Sequence, residues 1–327
     1  MAGTWTWATV TQATPLRIKV DGDTTQLNAT TDNLVGSLAV DDRVRVHLHS
    51  DGIIVTGIQG GGNRSNPNLL INSDFMVNQE GNTSGASVAD GAYFLDGWKN
   101  ATGGTTSLVT WADSGGVRTL TIGATGLFPV IREVVEQQNI QAGTHTLSWQ
   151  GATTARVYNS GATAPSFATS PVTVTLDGAT NGVVDFTGDG QTVANVKLER
   201  GSVATPYQPP TYADNLRACM RYFQVLLEGP LGAVVPAFMY NATVMFGLIE
   251  LIVPMRATPT IVAATGTNHY RFSRNGGHDY MTTLAFDDGD ARRVAVVNTT
   301  EISGTAGQSG MLRAYAADAK LTADARL

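Results

Sequence analysis

The chain has 327 residues, 42% of them hydrophobic and only 15% charged, with a net charge of −6. That length carries two or three domains, and a mildly acidic chain without clustered Lys and Arg lacks the counterion-displacing surface that nucleic-acid binding requires. Cys219 is the single cysteine, which excludes a disulfide-stapled scaffold. The opening Met1-Ala2-Gly3-Thr4-Trp5 has neither the basic nor the apolar region of a signal peptide. Thirty-six glycines and frequent Thr and Val favour an all-β protein, because β-branched side chains pack well on a pleated surface and glycine punctuates the turns.

Residues 1–58 read as a small barrel of the OB or SH3-like kind. Trp5–Val10, Leu16–Val20 and Arg43–His49 alternate apolar and polar, and Asp21-Gly22-Asp23 and Ser50-Asp51-Gly52 mark turns. The alternation places His47 and His49 on the wet face of one strand, where a solvated pair is favoured over a metal site. Residues 59–67, with Gly60-Gly61-Gly62 and Pro67, form a flexible linker. From 68 to 210, strands are predicted at 106–111, 117–122, 130–135, 143–150, 154–158, 172–176, 183–186 and 194–199, a spacing that suits a two-sheet jelly roll.

Residues 211–327 read as a helix followed by a β-rich domain. Thr211 and Asp214 have capping-box spacing, and Leu216, Cys219, Met220 and Phe223 form an apolar stripe at helical intervals, so a helix is predicted from Thr211 to about Val225. Cys219 on that stripe is expected to be buried and unreactive. Strands are predicted at 233–238, 243–253, 260–263, 270–273, 280–286, 293–298 and 310–327. Residues 231–254 are apolar, but Pro236, Asn241, Thr243 and Glu250 interrupt them, so no membrane span is expected. Val244–Val253 does not alternate, which implies cover on both faces and hence a subunit contact there.

Several stretches resemble bacteriophage tail-fibre and minor tail proteins. Lys197-Leu198-Glu199-Arg200-Gly201, Ala204-Thr205-Pro206-Tyr207-Gln208-Pro209 and Tyr212–Gln224 resemble the join between a jelly-roll module and the terminal domain of such proteins. Asn68–Phe75 resembles the opening strand of carbohydrate-binding-like jelly rolls, and Asp96-Gly97-Trp98 their early Gly-Trp feature. Leu38–Val44 resembles a turn of the N-terminal barrel of phage minor tail proteins, with Asp41-Asp42 where those usually have Gly-Asp. Val253–Thr260 is typical of the same terminal domain.

The resemblance implies a virion part made in the host cytoplasm. Its expected role is a tail-fibre or tail-tip structural protein, a homotrimer that binds other phage tail proteins and attaches to host-surface glycan. The alternatives are a purely structural tail or baseplate component and a virion-borne glycan depolymerase. Jelly rolls of this kind often hold a structural Ca²⁺, for which Asn72, Asp74 and Glu199 are the candidate neighbours, although Met76 stands where an acid is usual. No other cofactor is expected.

Candidate ligand-binding residues are Tyr270, His278, Asp279 and Tyr280 around the Gly276-Gly277 turn, and Trp98 and Tyr93 in the jelly roll, whose rings are suited to stacking on sugars. The acidic turn Asp287-Asp288-Gly289-Asp290 lacks the longer loop of an EF-hand, and a plain turn is favoured. No nucleophile elbow, Walker motif or dinucleotide glycine pattern is present, so no enzyme activity is expected.

Overall fold

The computed structural model describes residues 4–13, 16–22, 24–25, 27, 31–33, 43–49, 52–58, 66–104, 106–123 and 129–327. Residues 34–42 and 59–65, which hold most of the Leu38–Val44 phrase and of the 59–67 linker, lie outside them, as does the side chain of His49. The described chain is all-β, with 50% of its residues in strands and 4% in helix. It divides into two compact units: residues 1–67 with 205–208, and residues 68–204 with 209–327.

The first unit holds β1 (Thr4–Ala13), β2 (Leu16–Val20), β3 (Thr31–Asn33), β4 (Arg43–His49) and β5 (Gly52–Ile58). Period-two alternation buries Ala8, Val10, Ile18, Val44, Val46 and Val55 on one side and leaves Arg45 and Lys19 in solvent. The strand order is β2-β1-β4-β5-β3, antiparallel except for the parallel β3–β5 pair. This order suits a partly open five-stranded barrel, and of the two expected barrel types it favours the OB kind.

The second unit begins with a β-sandwich. Its strands are β6 (Ser87–Val88), β7 (Tyr93–Leu95), β8 (Trp98–Asn100), β9 (Ser107–Ser114), β10 (Val117–Ile122), β11 (Val130–Val135), β12 (Gly143–Gly151), β13 (Thr154–Asn159), β14 (Val172–Leu176), β15 (Gly182–Thr187) and β16 (Gln191–Arg200). One sheet runs β14-β12-β16-β10-β9-β6 and the other β13-β15-β11-β8-β7. Between them Phe75, Trp98, Phe186 and Trp149 form a chain of ring contacts with centroids 5.1–5.9 Å apart. Each such pair adds roughly 0.5–1.5 kcal/mol beyond area burial.

A helix and two further sheets complete this unit. Helix α1 (Tyr212–Met220) starts where the capping residues predict: Thr211 Oγ1 accepts from the Asp214 N–H at 3.2 Å and donates to its carboxylate at 2.7 Å. The helix stops well before the expected Val225. Phe223 opens β17 (Phe223–Glu228), which pairs with β26 (Lys320–Asp324), so strand pairing takes the last residue of the predicted stripe. The buried helix positions are Asn215 and Cys219.

The remaining strands are β18 (Val235–Met239), β19 (Met245–Glu250), β20 (Thr260–Ala263), β21 (Tyr270–Arg274), β22 (Gly277–Met281), β23 (Ala285–Gly289), β24 (Arg293–Asn298) and β25 (Ser309–Ala314). They form a three-stranded sheet β17-β26-β20 and a seven-stranded sheet β22-β21-β25-β18-β19-β24-β23, which share one apolar core.

The sandwich and this terminal module are interlocked by buried polar contacts. Asn72, held at φ 45°, donates its backbone N–H to Asn215 Oδ1 at 2.8 Å, and Asn215 Nδ2 donates to Asp74 at 2.6 Å. Gln79 Nε2 donates to both Asp96 and the Phe223 carbonyl. Arg326 lies between the rings of Tyr93 and Phe223, at 4.1 and 4.3 Å, and pairs with Glu80 at 2.7 Å. Arg221 and the Tyr222 hydroxyl both reach Glu136.

Replacing Asn215 with Ala leaves the buried Asn72 N–H without its acceptor. The expected loss is about 1–3 kcal/mol of unfolding free energy, the usual cost of orphaning a buried donor. A denaturant titration with an unchanged midpoint would show that the contact does not hold the two modules together.

Candidate functional site

The candidate residues from the sequence separate into three groups. Trp98 is fully buried, with its indole N–H donating to the Asn72 carbonyl at 3.1 Å. It is a core side chain and cannot stack on a sugar. Tyr93 is half-buried under Arg326, and its hydroxyl donates to the Leu327 carbonyl at 2.5 Å. Burial pushes the Tyr93 phenol up to about 12. Tyr93 therefore belongs to the junction between sandwich and terminal module.

The weak calcium candidates are also used within the fold. Asn72 donates its side-chain amide to the Val77 and Asp96 carbonyls and accepts from the Val77 N–H. Asp74 lies beside it through Asn215, but Glu199 is engaged elsewhere, 3.2 Å from Lys197. Among the described residues no three His, Cys, Asp or Glu side chains are grouped as a metal site would need. In the acidic turn, Asp290 accepts the N–H groups of Arg292 and Arg293, which hold its carboxyl below the usual range.

The third group surrounds the β21–β22 hairpin of the seven-stranded sheet. The strands are joined through Asn275-Gly276, where Gly276 has φ +95°, a conformation that favours glycine. Tyr270 faces inward, fully buried, and donates to the Lys320 carbonyl at 2.8 Å. Asp279 is held by Arg274 at 2.6 Å and by the Ser303 N–H. Both are structural. His278 is exposed and Tyr280 is 37% exposed, and their register places them on the outer face opposite Ser273 and Arg271.

This outer face has two halves. Along β18, β19, β24 and β25 it carries Pro236, Phe238, Phe246, Leu248, Val297 and Met311 in cross-strand register. Leu248 is 56% and Met311 45% exposed, and Phe238 and Phe246 stack with centroids 6.0 Å apart. The sequence reading of 231–254 as apolar on both faces is explained here. Burial does alternate in β18 and β19, with Val235, Ala237, Met239, Met245 and Ile249 inside. The outward positions Pro236, Phe238, Phe246 and Leu248 are apolar too, but they are exposed or half-buried.

The other half is polar and aromatic. Arg271 on β21 faces Tyr280 on one side and Arg313 of β25 on the other. The Arg271 guanidinium lies 5.1 Å from the ring of Tyr315, which meets Tyr280 edge-on at 5.0 Å. Arg271, Arg313 and Tyr315 carried no signal in the sequence, because their meeting depends on the pairing of strands far apart in the chain.

Burial raises two carboxyls above their ordinary values, and neither lies on this face. Glu133 is fully buried, and desolvation raises its carboxyl well above the ordinary 4.5 despite the Ile71 N–H that it accepts at 2.8 Å. Its second oxygen has no partner among the described residues, and the adjoining cavity of about 20 Å³ is the size of one water, not of a sugar ring. Burial likewise raises Asp96, opposed by two hydrogen bonds from Gln79. The thiol of Cys219 is pushed up by burial, in keeping with the expected inert side chain.

No known family model matches the chain, and no curated protein matches it.

The Glu133 environment sets a sign for stability. The unfolded chain ionises this group above about pH 4.5 while the folded chain keeps the proton, so its contribution to stability falls as pH rises from there toward the raised folded value. Glu133→Gln is expected to flatten that part of the profile while folding is kept. Thermal midpoints across pH 4 to 8 check this, and parallel profiles for both proteins would show that Glu133 is ionised in the fold.

Proposed function

We propose that the chain is a structural and adhesive part of a bacteriophage tail, a tail-fibre or tail-tip protein that assembles as a homotrimer and attaches to host-surface glycan. The observation that carries this reading is the outer face of the seven-stranded sheet. A contiguous patch of exposed Phe238, Leu248 and Met311 with half-buried Phe246 is the kind of surface that monomers rarely leave open and that marks an interaction site. Beside it, the exposed His278 and Tyr280 offer hydrogen-bonding edges and a stacking plane to a polyhydroxylated ligand.

The subunit contact is assigned to the apolar half of that face. The apolar stripe of α1 is not assigned to it, because Cys219 and Phe223 on that stripe are buried within the chain. The modest polar footprint of each copy fits a mechanism in which several weak sites act together for avidity. The barrel of the first unit is assigned to virion attachment, by resemblance to the N-terminal barrels of minor tail proteins.

Binding is favoured over catalysis because the carboxyl with the most perturbed proton affinity, Glu133, opens onto a space for one water. No helix of the described residues is long and apolar enough to cross a membrane.

Two measurements on the purified full chain test this function. Light scattering is expected to give about three times the chain mass at micromolar concentration, and Phe238→Asp with Leu248→Asp is expected to return the monomer with its fold kept. A monodisperse wild-type monomer contradicts the trimer. Labelled protein is expected to bind cells of at least one strain in a bacterial panel and to lose much of that binding on replacement of His278 and Tyr280 with Ala. Binding to no strain would leave a purely structural tail role, and release of reducing ends from envelope glycan would indicate a depolymerase.

A further inference from the structure

The outer face of the seven-stranded sheet contains a feature that neither folding nor the apolar contact explains. Arg271 and Arg313 are direct cross-strand partners on that face. Their neighbours Tyr270, Phe272, Leu312 and Ala314 are buried in the core, so the two guanidinium groups rise together on the opposite side. Like charges directly opposite each other on a sheet are destabilising.

Several other arginines of the same unit are matched. Arg118, Arg132 and Arg156 each hold a carboxylate within 3 Å, and Arg326 holds two. Among the described residues no carboxylate lies within ion-pair distance of Arg271 or Arg313. The one polar contact of the Arg313 side chain is a weak one, 3.9 Å to Met311 Sδ.

Hydrogen-bonding groups at this place are also unsatisfied. Arg271 Nε, Arg313 Nε and Ser273 Oγ are all withdrawn from solvent, and none has a hydrogen-bond partner among the described residues. Ser273 is the next outward position after Arg271 on β21, opposite His278 on one side and Met311 on the other. Three donors short of an acceptor thus share one face with two uncompensated positive charges. Tyr280 and Tyr315 stand beside them, with Tyr315 already in cation–π distance of Arg271. Arg271, Arg313 and Tyr315 all remain partly exposed.

We infer that Arg271 and Arg313, with Ser273, Tyr280 and Tyr315, form a binding site for the oxyanion of an acidic glycan. An oxyanion between the two guanidinium groups cancels their repulsion and is held at their outer nitrogens, since the Nε atoms themselves are withdrawn from solvent. Guanidinium forks match carboxylate and phosphate oxygens bidentately, and tyrosine rings accept the apolar face of a sugar or polyol. The ligand class is a polyhydroxylated chain carrying regular negative charge, as uronate or as phosphodiester. The inference rests on the glycan-binding reading above and narrows it from glycans in general to acidic ones.

The test uses the full chain and three probes: oligogalacturonate, poly(glycerol phosphate) and neutral dextran oligomers, each titrated by calorimetry at low and at physiological ionic strength. The wild-type chain is expected to bind one of the acidic probes and not the neutral one, with affinity falling as salt rises. Which acidic probe binds decides between uronate and phosphodiester. Arg271→Gln with Arg313→Gln is expected to weaken that binding at least about tenfold, since both charge-assisted forks are lost. Arg313→Gln alone serves if the double variant does not fold.

Equal binding of dextran, or unchanged binding by the variants, overturns the inference. Failure of both acidic probes while the chain still adsorbs to cells overturns it and leaves the adhesion reading standing, whereas failure of adsorption as well removes both. A change of assembly mass in the variants without loss of probe binding also overturns it, and assigns the two arginines to acids of a second copy.

Discussion

The junction between the sandwich and the terminal module is the constraint on which the rest of the second unit depends. Asn215, on a helix of nine residues, is inserted beside Asn72 and Asp74 in the loop that opens the sandwich. Arg326 closes the other side between Tyr93 and Phe223. Buried amide and guanidinium groups are costly unless every partner is present, so such contacts specify one arrangement rather than a set of loose ones. The consequence is a single compact unit, in which the seven-stranded sheet is a fixed platform and not a domain swinging on a linker.

A fixed platform changes what its outer face can do. Side chains on strands of a rigid sheet lose little further freedom on binding, which lowers the entropic cost of association. The face divides in a way that suits two tasks. Phe238, Phe246, Leu248 and Met311 offer apolar area, and the ground from Arg271 to Tyr280 offers charge, donors and aromatic planes. Folding alone gives no reason to place two unmatched arginines side by side. The contrast is with Arg132 and Arg156, which share the carboxylate of Asp185.

Local pattern made much of the fold legible in the sequence. Period-two alternation marked the barrel strands, turn residues spaced the sandwich strands, and Thr211 with Asp214 marked the start of α1. The pattern failed where tertiary pairing decides the outcome. Phe223 sits on a helical stripe, yet its pairing with Asp324 makes it a strand residue. Trp98 and Tyr270 have ring types suited to ligands, but residue type does not say which face a side chain takes, and both are core. Apolar outward positions in β19 concealed its alternation altogether. The Arg271–Arg313 pair was invisible, because neither residue has a local motif and only the β21–β25 register brings them together.

The central claim is that the terminal sheet's outer face, held by the sandwich, is the surface that meets the host. Amide hydrogen exchange of the full chain, with and without solubilised envelope glycan from a strain to which it adsorbs, tests this most directly. The account predicts slowed exchange confined to β21, β22 and β25 around Arg271, Tyr280 and Arg313, with the sandwich unchanged. Protection centred on the sandwich strands, or on the first unit, would contradict it.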